Sequence, residues 1–309
     1  MKIKANKLQI EVEDTGGSGP VVVLIMGLGM QLTAWPPELV HALVQHGYRV
    51  LRHDNRDVGL SDKLDHLGTP KLFWETVKFR MGIPTKPPYT LHDMALDTLG
   101  VLDALGVARA HIVGASMGGM IAQRVAIAAP QRTLSLTSIM SSSGARGLPG
   151  PRPEVLRALL GKPRGHSREA VMRHYVRLLR AIGSPDFPLD EHQLRHRIGT
   201  GLDRSPYAPQ GTLRQLLAIS ADTSRAPALA GIQAPTLVLH GLADPLVPFA
   251  CGKDTARRIA GARLVGIAGM GHDLPPAVID RLLPPMLTHF VHTSPPTITS
   301  TTSLATSAP

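Results

Sequence analysis

The sequence predicts an α/β fold: a mostly parallel central sheet with helices on both faces and an inserted helical cap. Two observations predict it. Short, nearly continuous apolar runs recur along the chain, each followed by a loop and then a stretch with helical spacing. Such runs suit parallel strands buried on both faces, and their alternation with helices suits an open α/β sheet. The alternation then lapses over residues 145–228, where strand-like runs disappear and helical ones take their place.

Taken in order, residues 8–13 alternate polar and apolar and read as an edge strand. Val21–Ile25 and residues 48–52, 111–113, 134–139, 236–239 and 263–265 read as further strands. Thr90-Leu91-His92-Asp93 has the form of a helix start, in which a hydroxyl and a carboxylate cap each other's backbone N–H. Leu91, Met94, Ala95, Leu99, Leu102 and Leu105 continue it as an apolar stripe, and Gly106 stops it. Met117–Ala128 reads as a helix closed by Pro130. Within the insertion, residues 154–160, Arg168–Ile182 and residues 213–219 read as helices between Gly- and Pro-rich turns. These features predict a core of residues 1–144 and 229–292 and a cap of residues 145–228. A shorter irregular insertion is predicted at 65–89. The Ser-, Thr-, Pro- and Ala-rich tail, 293–309, is predicted to be disordered.

The composition narrows the function classes. The chain has 309 residues, 43% hydrophobic and 18% charged, which is ample for a large core. No run approaches the roughly 18–20 apolar residues of a membrane span. The N-terminal Met1-Lys2-Ile3-Lys4-Ala5-Asn6 lacks a signal-peptide core, which predicts a cytoplasmic protein. The single cysteine, Cys251, excludes an internal disulfide and a cysteine-based zinc site, and it reads as a small buried hydrophobe. No cofactor and no metal is expected. The net charge of +10 raises the question of an anionic partner.

The sharpest local signal is Gly114-Ala115-Ser116-Met117-Gly118, placed after a strand and before a helix. Glycines two positions either side of a serine let the chain turn sharply and hold the hydroxyl at an exposed apex. The apex is also a helix N-terminus, where free N–H groups favour developing negative charge. A serine hydroxyl needs a base to take its proton, and the base needs an acid to orient it. Asp244 follows the strand at 236–239, and His272 follows the strand near 264–267. Taken singly, one of fourteen histidines and an aspartate before a proline would pass as ordinary surface and turn residues. The order Ser116, Asp244, His272 on separate strand ends makes them a candidate catalytic triad.

Met26-Gly27-Leu28-Gly29-Met30 follows the strand Val21–Ile25, and its glycines free backbone N–H groups to point into a cleft. The N–H groups of Leu28 and Met117 are the candidate oxyanion hole. Trp35, just beyond this loop, is a candidate for the substrate pocket and equally for packing.

Together, Gly27-Leu28-Gly29, Gly114-Ala115-Ser116-Met117-Gly118-Gly119, Gly241-Leu242-Ala243-Asp244-Pro245 and Gly271-His272 resemble the motifs of the α/β-hydrolase superfamily over residues 5–292. Asp54-Asn55-Arg56-Asp57-Val58-Gly59-Leu60-Ser61, followed by Pro88-Tyr89-Thr90, is most similar to the aclacinomycin-methylesterase-like esterase branch. The resemblance implies an α/β-hydrolase fold, a cofactor-free serine hydrolase, and an Arg56–Asp57 loop that locks the floor of the nucleophile turn. Two departures stand out. Met26 replaces the family's usual His before the oxyanion-loop glycine, which touches packing more than catalysis because the donors are backbone amides. Ser116 stands where epoxide hydrolases and haloalkane dehalogenases carry Asp, which argues against those activities.

The expected activity is hydrolysis of small to medium apolar carboxylic esters through an acyl-enzyme. A perhydrolase of the cofactor-free haloperoxidase type and a carbon–carbon bond hydrolase reuse the same residues, and a hydrolase-like ligand-binding protein is the non-enzyme alternative. Residues 145–228 hold 13 Arg and one Lys against seven Asp and Glu, so seven of the ten net positive charges belong to the cap. No aromatic ladder or nucleic-acid motif accompanies them, which predicts a solvated basic lid and a small-molecule substrate rather than a nucleic acid. Such a lid would favour anionic substrates in a salt-dependent way.

Overall fold

The computed structural model describes residues 1–70 and 86–293. Among these, β1 (Lys2–Ala5), β2 (Leu8–Asp14), β3 (Val21–Ile25), β4 (Arg49–His53), β5 (Ala110–Ala115), β6 (Thr133–Ile139), β7 (Thr236–Gly241) and β8 (Arg263–Ile267) form one sheet. The strand order is β1-β2-β4-β3-β5-β6-β7-β8. Strands β4, β3, β5, β6, β7 and β8 run parallel, while β2 pairs antiparallel with both β1 and β4. The edge position predicted for residues 8–13 therefore belongs to β1, whose four residues are too short to show a pattern in the sequence.

The α-helices among the described residues are α1 (Pro37–Gln45), α2 (Leu91–Ala104), α3 (Met117–Ala128), α4 (Pro153–Leu160), α5 (Arg168–Ile182), α6 (Glu191–Arg204), α7 (Pro209–Ala221), α8 (Arg225–Ala228), α9 (Phe249–Arg258) and α10 (Pro276–Val291). Side chains alternate across a strand, so β3 feeds both layers of the core. Val21, Val23 and Ile25 pack with Leu91, Met94 and Leu102 of α2 and with Met117, Ile121 and Val125 of α3. Val22 and Leu24 pack on the other face with Leu39 and Leu43 of α1 and with Val278, Leu282, Met286 and Phe290 of α10. All five residues of β3 are buried, as a continuous apolar run requires. The α2 start forms as the sequence predicts: the Asp93 N–H donates to Thr90 Oγ1 at 3.1 Å, and the Thr90 N–H donates to Asp93 Oδ2 at 2.8 Å.

Between β6 and β7 the chain forms α4 to α8 and no strand. In this helical insert, α5 and α6 pack through Met172, Val176 and Ile198. The run at 213–219 extends to thirteen residues in α7. Helix α6 buries a narrow stripe, Leu194 and Ile198 one turn apart with Gly199 beside them. Of the predicted 65–89 insertion, residues 71–85 lie outside the described residues, as do residues 294–309 of the predicted disordered tail. No helix among the described residues is long and apolar enough to cross a membrane.

Candidate active site

The parallel strands end on one edge of the sheet, and the loops leaving β5, β7 and β8 carry Ser116, Asp244 and His272 to it. Ser116 sits between β5 and α3 with φ +56°, a conformation that costs a non-glycine residue about 1–3 kcal/mol. The surroundings enforce it. A Cβ on Gly114 would lie 2.0 Å from the Gly118 carbonyl oxygen, and one on Gly118 would lie 2.0 Å from the Ile25 carbonyl oxygen. The chain can double back this tightly only with glycine at both positions. The Ser116 N–H donates to Ile139 O of β6 at 2.9 Å, anchoring the apex to the sheet.

The His272 Nε2 atom lies 2.9 Å from Ser116 Oγ, and its Nδ1 atom lies 2.7 Å from Asp244 Oδ2. A carboxylate accepts but cannot donate, so Nδ1 carries the ring proton and Nε2 is left to accept from the serine hydroxyl. The other oxygen of Asp244 accepts the N–H groups of Leu246 at 2.9 Å and Val247 at 2.8 Å, which fixes the carboxylate's rotation. His240 is wholly buried behind it and donates from Nε2 to Val247 O at 2.7 Å. Burial holds the His240 imidazole below its ordinary pKa, so it packs as a neutral ring. The His272 N–H donates to Ile182 O at 2.7 Å, and the Gly271 N–H donates to Ser184 Oγ at 2.9 Å. Ser184 in turn donates to Asp273, whose carboxyl is raised by burial against the opposing pull of that hydrogen bond.

The loop after β3 faces the serine. A Cβ on Gly27 would lie 3.1 Å from Ser116 Cβ, so the glycine lets the two loops approach. The Met30 N–H donates to Gly27 O at 3.2 Å, closing a turn over residues 27–30. Among the described residues, neither the Leu28 N–H nor the Met117 N–H makes a hydrogen bond, which leaves both predicted donors available. Met26, in place of the family's His, is buried with the core, and its carbonyl accepts from Asn55 Nδ2 at 2.8 Å. Trp35 has no exposed surface and packs in the same cluster as Leu39 and Leu43 of α1. It is a core residue with no face for a substrate in this structure. Cys251 is buried in α9, as expected of a small hydrophobe.

Arg56 donates to Asp97 of α2 at 2.6 and 2.7 Å. Asp57 receives Arg214 of α7 at 2.8 and 2.7 Å, and Asp54 receives Arg204 of α6 at 2.6 Å. The loop at 54–61 is thus locked to the sheet side by Arg56 and to the helical insert by Asp54 and Asp57. Gln215, beside Arg214, accepts the Gly29 N–H at 2.9 Å and donates to Arg56 O at 2.8 Å. Sequence reasoning does not find Ser184, Arg204, Arg214 or Gln215. Arg204, Arg214 and Gln215 are polar side chains on helices and read as solvent-facing, Ser184 reads as an ordinary loop residue, and their partners lie 87 to 186 residues away. Two of the insert's arginines thereby neutralise carboxylates of the sheet domain, which reduces the basic surplus it presents to solvent. No group of three or more His, Cys, Asp and Glu side chains is gathered as a metal site would require among the described residues.

The profile of the alpha/beta hydrolase fold matches residues 20–275. Rhodomycin D methylesterase DauP of Streptomyces sp. (strain C5) is 30% identical over 287 residues, covering 87% of this chain and 90% of that protein. Rhodomycin D methylesterase DnrP of Streptomyces peucetius is 28% identical with the same coverage, 87% and 90%. In three dimensions the chain is similar to the meta-cleavage product hydrolase CumD of Pseudomonas fluorescens. That likeness has a TM-score of 0.74 at 21% identity, and it covers 95% of this chain and 98% of that one. The serine turn, the strand order and the matched profile agree, and the chain belongs to the α/β-hydrolase fold family.

Proposed function

We propose that the protein is a serine hydrolase that cleaves carboxylic esters through an acyl-enzyme. The observation that carries this reading is the continuous hydrogen-bonded chain from Ser116 Oγ through His272 to Asp244. In this mechanism the Ser116 oxygen attacks the ester carbonyl while His272 Nε2 takes its proton. Asp244 holds the ring and stabilises the imidazolium that forms. The Leu28 and Met117 N–H groups receive the oxyanion, and losing one such donor costs about 3–4 kcal/mol of barrier. His272 then protonates the departing alcohol, and the acyl group stays on Ser116. Water, deprotonated by His272, attacks the acyl carbon and releases the acid, which restores the serine.

In the same reading, residues 1–144 and 229–292 are the catalytic core and residues 145–228 are its cap. The substrate is a small molecule of small to medium, apolar acyl character. The two rhodomycin D methylesterases favour a methyl ester as the bond cleaved. The test is labelling by a fluorophosphonate together with a panel of p-nitrophenyl and methyl esters of increasing acyl length. Labelling and turnover that vanish in Ser116→Ala are expected. Undiminished labelling of that variant sinks the assignment, and turnover of a vinylogous diketone in place of every ester would move it to carbon–carbon cleavage.

A further inference from the structure

The oxyanion loop is held from an unexpected direction. Its turn, Gly27-Leu28-Gly29-Met30, is closed by the Met30 N–H on Gly27 O at 3.2 Å, and Gly29 has φ +66°. A positive φ at the third residue is the type II arrangement. Type I and type II turns differ by a flip of the central peptide, here the one joining Leu28 to Gly29. The N–H of that peptide is the one that Gln215 Oε1 accepts, at 2.9 Å. Gln215 has no exposed surface, so this bond is made away from competing water. Its other end donates to Arg56 O at 2.8 Å, on a segment that Arg56 itself ties to Asp97 of α2. The side chain therefore spans two loops of the sheet domain from helix α7 of the insert. Thr212, one turn earlier on α7, stands where a Cβ on Gly29 would lie, 2.7 Å from its Oγ1. The helix thus braces the turn sterically as well as by the hydrogen bond.

We propose that Gln215 is a positioning residue: by pinning the Gly29 N–H it holds the turn at residues 27–30 in place, and with it the Leu28 N–H that meets the oxyanion. The proposal rests on the esterase reading above, in which the Leu28 N–H receives the oxyanion. It assigns the helical insert a part in the chemical step beyond lining a pocket. Gln215 touches no reacting atom; it acts through the loop. A donor displaced by a fraction of an ångström still binds ground-state substrate and fails mainly in the tetrahedral state.

Two variants test it. Gln215→Met keeps length and burial but removes the acceptor, and Gln215→Asn keeps the amide but draws it back by one methylene. Each is expected to lower kcat on p-nitrophenyl butyrate by about 10- to 100-fold with KM within about twofold. Affinity for an alkylboronic acid, which forms a tetrahedral adduct on the serine, is expected to fall in parallel. Gln215→Glu retains an acceptor for Gly29 and is expected to recover most of kcat. The shape of the kcat/KM pH profile is expected to be unchanged in all three. Wild-type kcat and boronate affinity in a folded Gln215→Met or Gln215→Asn protein overturns the proposal. So does an equal loss in Gln215→Glu and Gln215→Asn, which would assign the effect to the Arg56 contact. If the wild-type protein shows no Ser116-dependent turnover on any ester, it is the esterase reading that has failed.

Discussion

Arg214 of α7 grips Asp57 of the loop after β4 through two hydrogen bonds of 2.8 and 2.7 Å, and neither side chain is exposed. Removing one member of such a pair strands the other charge in a low-dielectric site, at a cost of about 3–5 kcal/mol. Arg214→Met is therefore expected to lower the urea unfolding free energy by about that amount. Asp57→Asn should do the same, and the double variant should lose less than the two single losses combined. Additive losses would show that the two residues act separately.

The same pair sets one limb of the stability–pH curve. Burial pushes the Asp57 carboxyl up, but the Arg214 guanidinium and the Leu64 N–H more than offset it and hold it below the ordinary carboxylate value. A depressed carboxylate stabilises the fold above its unfolded pKa, and that contribution is lost as pH falls through the folded value. The acid-side loss should accordingly be shallower in an Asp57→Asn protein than in the wild type, measured below pH 4 as urea midpoints.

A second acid-sensitive element lies at His111 on β5. Burial, and secondarily the charge of His289, lower its imidazole to about 4. The ring bonds Ser135 Oγ at 2.8 Å and packs at 4.6 Å, centroid to centroid, against Phe290. Because the folded pKa lies below the unfolded value of about 6.5, the neutral ring is the stabilising form. Its contribution is complete above that unfolded value and declines as pH falls toward the folded one. His111→Phe is expected to narrow the difference between urea midpoints at pH 7.5 and pH 4.5. An undiminished difference would place the acid sensitivity on the other buried histidines.

The turn at Ser116 gives a steric prediction. At Gly114 an added methyl group meets the Gly118 carbonyl oxygen at 2.0 Å, while at Gly150 it meets nothing within 4 Å. Neither contact partner at Gly114 is a movable side-chain end, so the backbone itself would have to shift. Gly114→Ala is expected to destabilise by more than about 3 kcal/mol and to abolish fluorophosphonate labelling, with Gly150→Ala within about 0.5 kcal/mol of wild type. Equal melting temperatures for the two variants would contradict the close approach.

Much of this arrangement can be read from the sequence, and the remainder has identifiable reasons for being hidden. The loops bearing Ser116, Asp244 and His272 are legible because each follows a short apolar strand, and strand ends on a parallel sheet share one edge. The Thr90–Asp93 cap is legible because its chemistry is local. Helix α10 is obscured by Pro284 and Pro285 in its interior, which ordinarily end a helix. Gln215 and Arg214 are obscured for a different reason. Their function depends on Gly29 and Asp57, contacts that no local periodicity encodes. Trp35 shows the converse: its position beside the oxyanion loop suggests a pocket, yet α1 folds over it and puts it in the core.

The most discriminating prediction concerns Asp244→Asn. In the wild-type structure Oδ1 accepts two backbone N–H groups, from Leu246 and Val247, while Oδ2 faces His272 Nδ1. An asparagine must place its carbonyl oxygen against the two N–H groups, because its amide nitrogen cannot accept from them. The NH2 group is then turned toward His272, whose Nδ1 must accept. The ring proton moves to Nε2, so the imidazole donates to Ser116 and can no longer take the serine proton. The fold should persist, since every backbone contact of residue 244 is retained. The kcat for an activated ester is expected to fall by roughly 10³- to 10⁴-fold with little change in KM. A loss below about tenfold would remove Asp244 from the mechanism.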